Sequence, residues 1–181
     1  MVTLGLSDKD MHKVWIITDT HFGKDCKLLN RPVNFQKEII KNWKHLVGKE
    51  DTIIHLGDVA NSASALNCIK GLPGKKILIL GNHDTLNEEA YINKCGFSIV
   101  CDKLLLFYKY KDKTIKILFT HEPEIFHDFD VNIHGHLHNF ATVKSVCYLY
   151  LMALENQGYR PLNLKEEIIP NIYKKLKGDL N

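Results

Sequence analysis

Hydrophobic and polar residues follow two patterns along the chain: short, largely apolar runs, and longer segments in which apolar residues recur every three or four positions. The first pattern predicts buried strands, at residues 14–18, 52–56, 75–80, 115–120 and 131–134. The second pattern, together with helix-capping residues, predicts helices, at Asn34–Val47, at Ser62–Lys70 with Asn61 as the N-cap, and at Asn87–Lys94. Repeated strand-to-helix units of this kind indicate an α/β fold.

The second half of the chain favours adjacent strands instead. The long segment Ile99–Tyr110 predicts a strand that forms a hairpin with Thr114–Phe119. One more strand at Tyr148–Leu154 and a last helix at Leu164–Leu176 follow, whereas the polar residues 1–13 predict a frayed start. Two mixed sheets flanked by helices account for this order of elements.

Polar residues follow the predicted strands at the points where the strands end. The run 75–80 leads directly into Gly81-Asn82-His83-Asp84. In open α/β folds, ligands bind where the chain leaves the carboxyl ends of the strands. The tetrapeptide alone fits a turn equally well, because Gly, Asn and Asp are all common turn residues.

The ends of the other four runs favour a binding site over a turn. They deliver acidic residues and histidines, namely Asp19 with His21, Asp58, His121, and His136 with His138. Carboxylate oxygens and imidazole nitrogens are the ligands that a site for two divalent metal ions needs. We therefore interpret the five strand ends as one site.

Together these residues form the ordered motifs D-x-H, G-D, G-N-H-[DE], H and G-H-x-H between Asp19 and His138. This ordered set strongly resembles the calcineurin-like metallophosphoesterase superfamily. The segments Asp19–Gly23 and Asn30-Arg31-Pro32 resemble its small, compact bacterial and phage branch. The resemblance implies a four-layer α/β/β/α sandwich of two mixed sheets, and the length of the chain predicts a single domain over residues 1–181.

The resemblance also implies two divalent metal ions that share Asp58 as a bridging ligand. The first ion would be held by Asp19, His21, Asp58 and His138, and the second by Asp58, Asn82, His121 and His136. Nitrogen and oxygen ligands without cysteine suit Mn, Fe, Zn, Ni or Co, of which manganese is our first choice. Two such ions would clamp a phosphate and lower the pKa of a bridging water, which would attack as hydroxide.

His83 is the candidate general acid, because the resemblance implies that this histidine protonates the leaving alkoxide. Asp84 would orient the imidazole ring of His83 and hold its proton. The alternative is that His83 is a structural histidine with satisfied hydrogen bonds.

Arg31 and Asn82 are the candidate substrate-binding residues. Arg31 lies in the loop 22–32, between the first predicted strand and helix, where a guanidinium could make a bidentate contact with a phosphate. Lys24 in the same loop could add a point charge. The alternative is that Arg31 and Pro32 only shape the start of the helix that follows.

The composition fits an ordinary globular domain with one core. Of the 181 residues, 45% are hydrophobic and 25% are charged. No apolar stretch approaches the roughly 18 residues of a membrane span, and Asp8 and Asp10 interrupt any apolar signal core, so we expect a cytoplasmic protein without a membrane partner. The five cysteines are scattered and odd in number, which favours reduced thiols over disulfides or a zinc ribbon.

The expected activity is hydrolysis of small phosphodiesters, such as cyclic nucleotides or exposed nucleotide ends. A net charge of +3 permits an anionic phosphoester substrate without indicating nucleic acid. Three alternatives stay open: a phosphomonoesterase or protein phosphatase, a nuclease, and a non-catalytic scaffold of the same fold. The complete set of motif residues favours an enzyme over a scaffold, since function has to be argued from the site.

Overall fold

The computed structural model describes residues 1–125, 128–140 and 148–178. The strands are β1 (Val2–Leu4), β2 (Val14–Ile17), β3 (Thr52–His55), β4 (Lys75–Ile79), β5 (Phe97–Cys101), β6 (Leu104–Tyr110), β7 (Lys113–Thr120), β8 (Val131–His134), β9 (Leu149–Leu151) and β10 (Leu162–Asn163). The α-helices are α1 (Asp8–Met11), α2 (Phe35–Leu46), α3 (Ala63–Lys70), α4 (Glu88–Cys95) and α5 (Ile169–Lys177). Short 3₁₀ helices occupy Cys26–Leu29, His138–Phe140 and Leu154–Gln157, and a π-helical turn at Leu164–Ile168 leads into α5.

The strands form two five-stranded sheets. The first sheet has the order β10-β2-β3-β4-β5, in which β10 is antiparallel to β2 and the other neighbours pair parallel. The second has the order β1-β6-β7-β8-β9, in which β6 and β7 pair antiparallel and the other neighbours pair parallel. The predicted α/β fold with two mixed sheets is therefore confirmed.

Two apolar cores hold the layers together. Between the sheets, Ile16 and Ile54 of the first sheet pack in one cluster with Ile117 and Ile133 of the second. The opposite face of the first sheet packs in another cluster against α2, α3 and α4. Because both faces of the first sheet are buried, its central strands read as continuous apolar runs.

Helix α2 shows why the periodic segment folds as predicted. Phe35, Ile39 and Trp43 recur at every fourth position and are all buried, so one stripe of the helix faces the first sheet. Helix α5 instead buries Ile169 and Ile172 in the core between the sheets.

The start of the chain is ordered, contrary to the predicted frayed segment. β1 pairs in parallel with β6, and α1 follows with Ser7 as its N-cap, whose side chain accepts the Asp10 backbone N–H at 3.3 Å. Met11 at the end of α1 is fully buried. A strand of three residues and a helix of four are too short to show a period, which is why the pattern does not reveal them.

The predicted strand Ile99–Tyr110 is in fact two strands in different sheets. β5 belongs to the first sheet and β6 to the second, and the chain crosses between them at Asp102 and Lys103. Both strands are apolar, so the hydrophobic pattern runs on through the crossing. Likewise, the predicted strand Tyr148–Leu154 is a strand only over Leu149–Leu151.

Four of the five cysteines lie in the described residues, and Cys26, Cys68, Cys95 and Cys101 are all free thiols. Cys147 lies outside the described residues. In the part of the chain that the structure describes, no helix combines the length and the hydropathy needed to cross a membrane.

Candidate metal centre

The loops after the strands of both sheets meet at one edge of the molecule. In the first sheet, Ile17 at the end of β2 pairs with His55 at the end of β3. The loops that follow these two strands touch, because the Asp19 N–H donates to Gly57 O at 3.0 Å. The loop after β8 in the second sheet reaches the same place, where the His136 N–H donates to Asp19 Oδ2 at 3.0 Å.

One Asp/His group brings together Asp19, His21 and His138, whose ligand atoms lie within 4.8 Å of one another. His138 Nε2 is 3.7 Å from Asp19 Oδ1, and His21 Nε2 is 3.4 Å from Asp58 Oδ2. The imidazole rings of His21 and His138 stack with their centroids 5.3 Å apart. These four residues are the ones that the family resemblance assigns to the first ion.

A second group forms around His121 on the other side of Asp58. His121 Nε2 lies 2.9 Å from Asn82 Oδ1 and 3.2 Å from His136 Nδ1. It also lies 3.6 Å from Asp58 Oδ1. Asp19, Asp58 and His121 have ligand atoms within 4.8 Å of one another. Asp58 thus turns one carboxylate oxygen to each group, which is the arrangement that a bridging ligand requires.

The donor atoms of these groups fit divalent cations. Asp19 Oδ1 is buried and has no hydrogen-bond partner among the described residues, although Oδ2 accepts the Thr18 hydroxyl at 2.6 Å. Around His121 Nε2, three other atoms with lone pairs approach to 2.9–3.6 Å. Acceptors that face one another away from water need a cation or a proton between them. The two buried Asp/His groups are therefore consistent with a site for two metal ions.

Three of the candidate histidines have an oxygen acceptor on the far side of the ring, and Arg31 Nη2 also lies 3.1 Å from His138 Nδ1. Their Nδ1 atoms face an oxygen acceptor, which is Asn61 Oδ1 at 3.2 Å for His21, Leu56 O at 2.7 Å for His121 and Glu155 Oε1 at 3.1 Å for His138. With the proton on Nδ1, the unprotonated Nε2 faces the site, as metal ligation requires. Burial also lowers the pKa of His21 to about 2, which keeps its imidazole neutral.

Five candidate ligands have a backbone conformation that residues with side chains seldom adopt. Their φ angles are positive, at 48° for Asp19, 44° for His21, 57° for Asp58, 66° for His136 and 46° for His138. Left-handed residues of this kind cost roughly 1–3 kcal/mol each and cluster at functional sites. The surrounding contacts must hold this strain, and in doing so they aim the five side chains at the same space.

Gly81 and Gly135 let the ligand-bearing loops approach each other. A Cβ at Gly81 would lie 2.3 Å from Asp58 Oδ1, and a Cβ at Gly135 would lie 2.0 Å from Thr18 Oγ1 and 2.5 Å from Asp19 Oδ2. All three distances are far inside van der Waals contact, so any larger residue would displace a ligand loop. Close approach of the loops therefore explains the glycines of the G-N-H-D and G-H-L-H motifs.

His83 lies at the exposed edge of the two groups. Its backbone N–H donates to Asp58 Oδ1 at 2.9 Å, and its ring is 5.7 Å from the ring of His21 in an edge-to-face arrangement. The side chain is thus next to the candidate ligands, and it belongs to neither Asp/His group.

Asp84 contacts backbone amides rather than the ring of His83. Its carboxylate accepts three N–H groups, from Gly81 at 2.9 Å, Asp58 at 2.8 Å and Val59 at 3.0 Å. Burial raises the pKa of Asp84, although the bonds from these amides oppose the shift. The predicted contact between Asp84 and the His83 ring is therefore not formed in the described residues, and Asp84 instead joins the loop after β3 to the loop after β4.

Arg31 is buried against the site rather than free above it. Its side chain is 0% exposed, and both Nε and Nη2 lie 2.7 Å from Glu155 Oε1. Nη1 donates to Asp19 O at 2.7 Å. Contact with a phosphate would require these bonds to open. The contacts of Arg31 favour a structural role at the site, and its binding of substrate stays a prediction.

Sequence reasoning missed two residues that touch candidate ligands, Asn61 and Glu155. The sequence predicts Asn61 as the N-cap of α3, but the cap is Ser62, and Asn61 faces His21 instead. Asn61 and Ser62 are both good N-cap residues, and a helix needs only one. This redundancy was the signal in the sequence that the other residue could contact the site. Glu155 lies beyond the last motif and directly after the predicted strand Tyr148–Leu154, so no local spacing marks it.

Comparison with known proteins identifies the family of the chain. The model of the calcineurin-like phosphoesterase superfamily domain matches residues 12–152. Among curated proteins, an uncharacterised protein of Methanocaldococcus jannaschii is 35% identical over 89 residues, which are 44% of this chain and 51% of that protein. The gene 66 protein of Mycobacterium phage L5 is 34% identical over 94 residues, which are 45% of each protein.

The match to these curated relatives spans about half of their length. The crystal structure of a protein of unknown function from Aquifex aeolicus superposes with a TM-score of 0.66 at 26% identity, covering 88% of this chain and 98% of that one. The family match includes the whole stretch from Asp19 to His138 that carries the two Asp/His groups. The chain therefore belongs to the calcineurin-like phosphoesterase superfamily.

Proposed function

We propose that this protein is a metal-dependent phosphodiesterase that hydrolyses small phosphodiesters, such as cyclic nucleotides or exposed nucleotide ends, within one domain over residues 1–181. The observation that carries the proposal is the position of Asp58. One of its oxygens lies 3.4 Å from His21 Nε2 and the other lies 3.6 Å from His121 Nε2. Membership of the phosphoesterase superfamily supports a metal-dependent hydrolase.

The proposed ligands divide into two sets that share Asp58. These are Asp19, His21, Asp58 and His138 for one ion, and Asp58, Asn82, His121 and His136 for the other. Two divalent ions supply neutralisation of the phosphate charge and a water acidic enough to attack near neutral pH. Manganese is our first choice, and Fe, Zn, Ni and Co share its preference for nitrogen and oxygen ligands.

His83 is the proposed general acid because it is the exposed imidazole beside both ligand groups. A leaving alkoxide needs a proton as its bond to phosphorus breaks. The backbone N–H of His83 donates to Asp58 Oδ1 and its ring lies 5.7 Å from that of His21, a position that supports protonation of the leaving oxygen by His83. Exposure to solvent lets His83 take up a new proton after each turnover.

Two clefts on either side of the Asn82-His83 turn favour a diester. One cleft of about 520 Å³ is lined by Asn82, His121 and Lys103 among others. The second, of about 380 Å³, is lined by His83 and Tyr91 among others. A phosphodiester carries an organic group on two oxygens, so one group can lie in each cleft, with the leaving group on the side of His83. A monoester would fill only one of them.

The test compares bis-p-nitrophenyl phosphate with p-nitrophenyl phosphate after the protein has been stripped of metal and reloaded with Mn, Ni, Zn or Mg singly. We expect metal-dependent hydrolysis that is faster for the diester. Asp58→Ala should abolish both metal binding and hydrolysis. His83→Ala should lower kcat by about 10²–10⁴ while elemental analysis finds the wild-type metal content. His45→Ala, at an exposed position of α2, is the control that should match wild type.

Each other outcome points to a different function. Cleavage of the monoester alone would replace the proposal with a phosphatase. Loss of bound metal in His83→Ala would make His83 a ligand rather than an acid. Cleavage of nucleic acid that weakens steeply as salt rises would indicate a nuclease that binds the phosphate backbone. Two bound ions without turnover of either substrate would favour a binding scaffold.

A further inference from the structure

Glu155 forms a carboxylate support behind His138, on the side of the ring away from the candidate metal position. It lies in the 3₁₀ helix Leu154–Gln157, and its side chain is 6% exposed. Its Oε1 is 3.1 Å from His138 Nδ1 and 2.7 Å from both Nε and Nη2 of Arg31. One buried carboxylate oxygen therefore joins a candidate ligand to a buried cation.

His138 Nδ1 has two neighbours at 3.1 Å: Glu155 Oε1, which only accepts hydrogen bonds, and Arg31 Nη2, which only donates them. Ligation of a metal through Nε2 requires the ring proton on Nδ1, and Glu155 is then the neighbour that accepts it. Nε2 is then unprotonated and lies 3.7 Å from Asp19 Oδ1. Asp19 Oδ1 is buried and has no hydrogen-bond partner among the described residues. A carboxylate behind a ligating histidine fixes the ring and raises the basicity of the ligating nitrogen.

Arg31 holds Glu155 in place and ties it to a second candidate ligand. Its Nη1 donates to the backbone carbonyl of Asp19 at 2.7 Å. Its guanidinium carbon lies 5.2 Å from the ring centre of Phe35 and 6.0 Å from that of Tyr159. Both charges of the pair are buried, so each needs the other. The pair is neutral as a whole, and it orders the site without changing the charge of the site.

A charged support is found at the first candidate metal position, behind His138, whereas the groups behind His21 and His121 are neutral. His121 in the second group faces a backbone carbonyl, Leu56 O. His21 faces the side-chain amide of Asn61. In the part of the chain that the structure describes, His138 is the one of these three histidines whose Nδ1 faces a carboxylate. The two metal positions should therefore respond differently to loss of Glu155.

Building on the proposed function, we propose that Glu155 and Arg31 are positioning residues that fix His138 and thereby set the affinity of the first metal position, but not that of the second. This positioning role requires no contact of either residue with substrate. Glu155 holds the imidazole, and Arg31 holds Glu155 and the backbone of Asp19.

The test titrates Mn²⁺ into metal-free protein by calorimetry and counts the ions retained after dialysis by elemental analysis. Glu155→Gln keeps the shape of the side chain but removes its charge. We expect one of the two binding events to weaken by about 10–100-fold and the other to be unchanged. Arg31→Lys keeps the charge but cannot make both hydrogen bonds, from Nε and from Nη2, to Glu155. It should therefore weaken the same Mn²⁺ binding event by a smaller factor.

Glu167→Gln is the matched control, because it breaks another Arg–Glu pair of this chain. Glu167 Oε1 lies 2.6 Å from Arg160 Nη2, and neither residue contacts a candidate ligand among the described residues. Both Mn²⁺ binding events should stay at their wild-type affinity. The Arg160–Glu167 pair is partly exposed, so the control separates loss of an Arg–Glu ion pair in general from loss of the support behind His138.

Equal weakening of both binding events, or of neither, in folded Glu155→Gln protein would overturn the positioning role. If circular dichroism shows that Glu155→Gln does not fold, Arg31→Lys decides by the same criterion.

The readout of this test is Mn²⁺ affinity rather than turnover, so it is independent of the proposed hydrolytic activity. A wild-type protein that binds two Mn²⁺ ions and hydrolyses no phosphoester would refute the proposed function and leave the positioning role standing. A wild-type protein that binds only one ion would refute both.

Discussion

At the scale of single residues, Gly81 decides how closely two ligand-bearing loops approach. A Cβ at this position would lie 2.3 Å from Asp58 Oδ1 and 2.5 Å from the Asp58 backbone nitrogen. Gly81→Ala should therefore push Asp58 away from both Asp/His groups. We expect the free energy of unfolding to fall by about 1–3 kcal/mol and Mn²⁺ affinity to drop at both positions, as measured by urea unfolding and calorimetry.

Gly5→Ala is the matched control for this prediction. A Cβ at Gly5 meets no atom of the described residues within 4 Å. The free energy of unfolding should stay within about 0.5 kcal/mol of wild type, and Mn²⁺ affinity should not change. Wild-type metal affinity in Gly81→Ala would contradict the argument from close approach.

The candidate ligands could be predicted one by one because each follows an apolar run, whereas their supporting residues could not. Asn61 and Glu155 contact histidines that are 40 and 17 residues away in the chain. Local patterns do not report contacts of such separation. The positive φ of Asp58 could not be predicted from the local sequence either, because tertiary contacts impose it.

At the scale of elements, the start of α3 places two different roles on adjacent residues. Ser62 Oγ accepts the Ala65 N–H at 3.2 Å, whereas Asn61 Oδ1 lies 3.2 Å from His21 Nδ1. Ser62→Ala should lower the free energy of unfolding of the metal-free protein by about 0.5–2 kcal/mol and leave Mn²⁺ affinity unchanged. Asn61→Ala should weaken Mn²⁺ binding by about tenfold or more with little loss of stability.

Each of these two variants is the control for the other. Urea unfolding reports the helix cap, and calorimetry reports the metal position. If Asn61→Ala destabilised the metal-free protein as much as Ser62→Ala and left metal affinity intact, Asn61 would be the cap that the sequence predicts.

Elements buried on both faces were the easiest to predict, since β2, β3 and β4 are continuous apolar runs between two cores. The crossing at Asp102 and Lys103 was not predictable from hydropathy. β5 and β6, on either side of the crossing, are both apolar. Hydropathy alone does not indicate which sheet an apolar strand joins. β1 escaped prediction because three residues show no period.

At the scale of the whole molecule, the two mixed sheets could be predicted but the strand order could not. β10 returns to the edge of the first sheet, where Leu162 pairs with Ile16. This pairing joins the first and the last strand of that sheet in chain order, and nothing near Leu162 in the sequence specifies it. The order follows from burial of Leu162 and its neighbours in the core between the sheets, a property of the assembled fold.

The whole fold also buries neutral histidines, which couples its stability to pH. His55 in β3 is fully buried, with Nε2 2.9 Å from the Thr20 hydroxyl oxygen and Nδ1 accepting the Gly57 N–H at 3.2 Å. Burial lowers the pKa of His55 from 6.5 to about 3. Between pH 6.5 and about pH 3, His55 is therefore protonated in the unfolded chain and neutral in the folded protein.

The stability of the metal-free protein should therefore fall as the pH decreases through this range, by about 1.4 kcal/mol per pH unit for one such histidine. His55→Gln removes that contribution, so urea unfolding between about pH 6 and pH 4 should show a shallower slope than wild type. His45→Gln, at an exposed position of α2, should keep the wild-type slope. Burial also lowers the pKa of His21 and of His134, but both are present in all three proteins, so their effect cancels. Equal slopes in wild type and His55→Gln would mean that His55 takes up its proton inside the folded protein, and would refute a neutral histidine at this position.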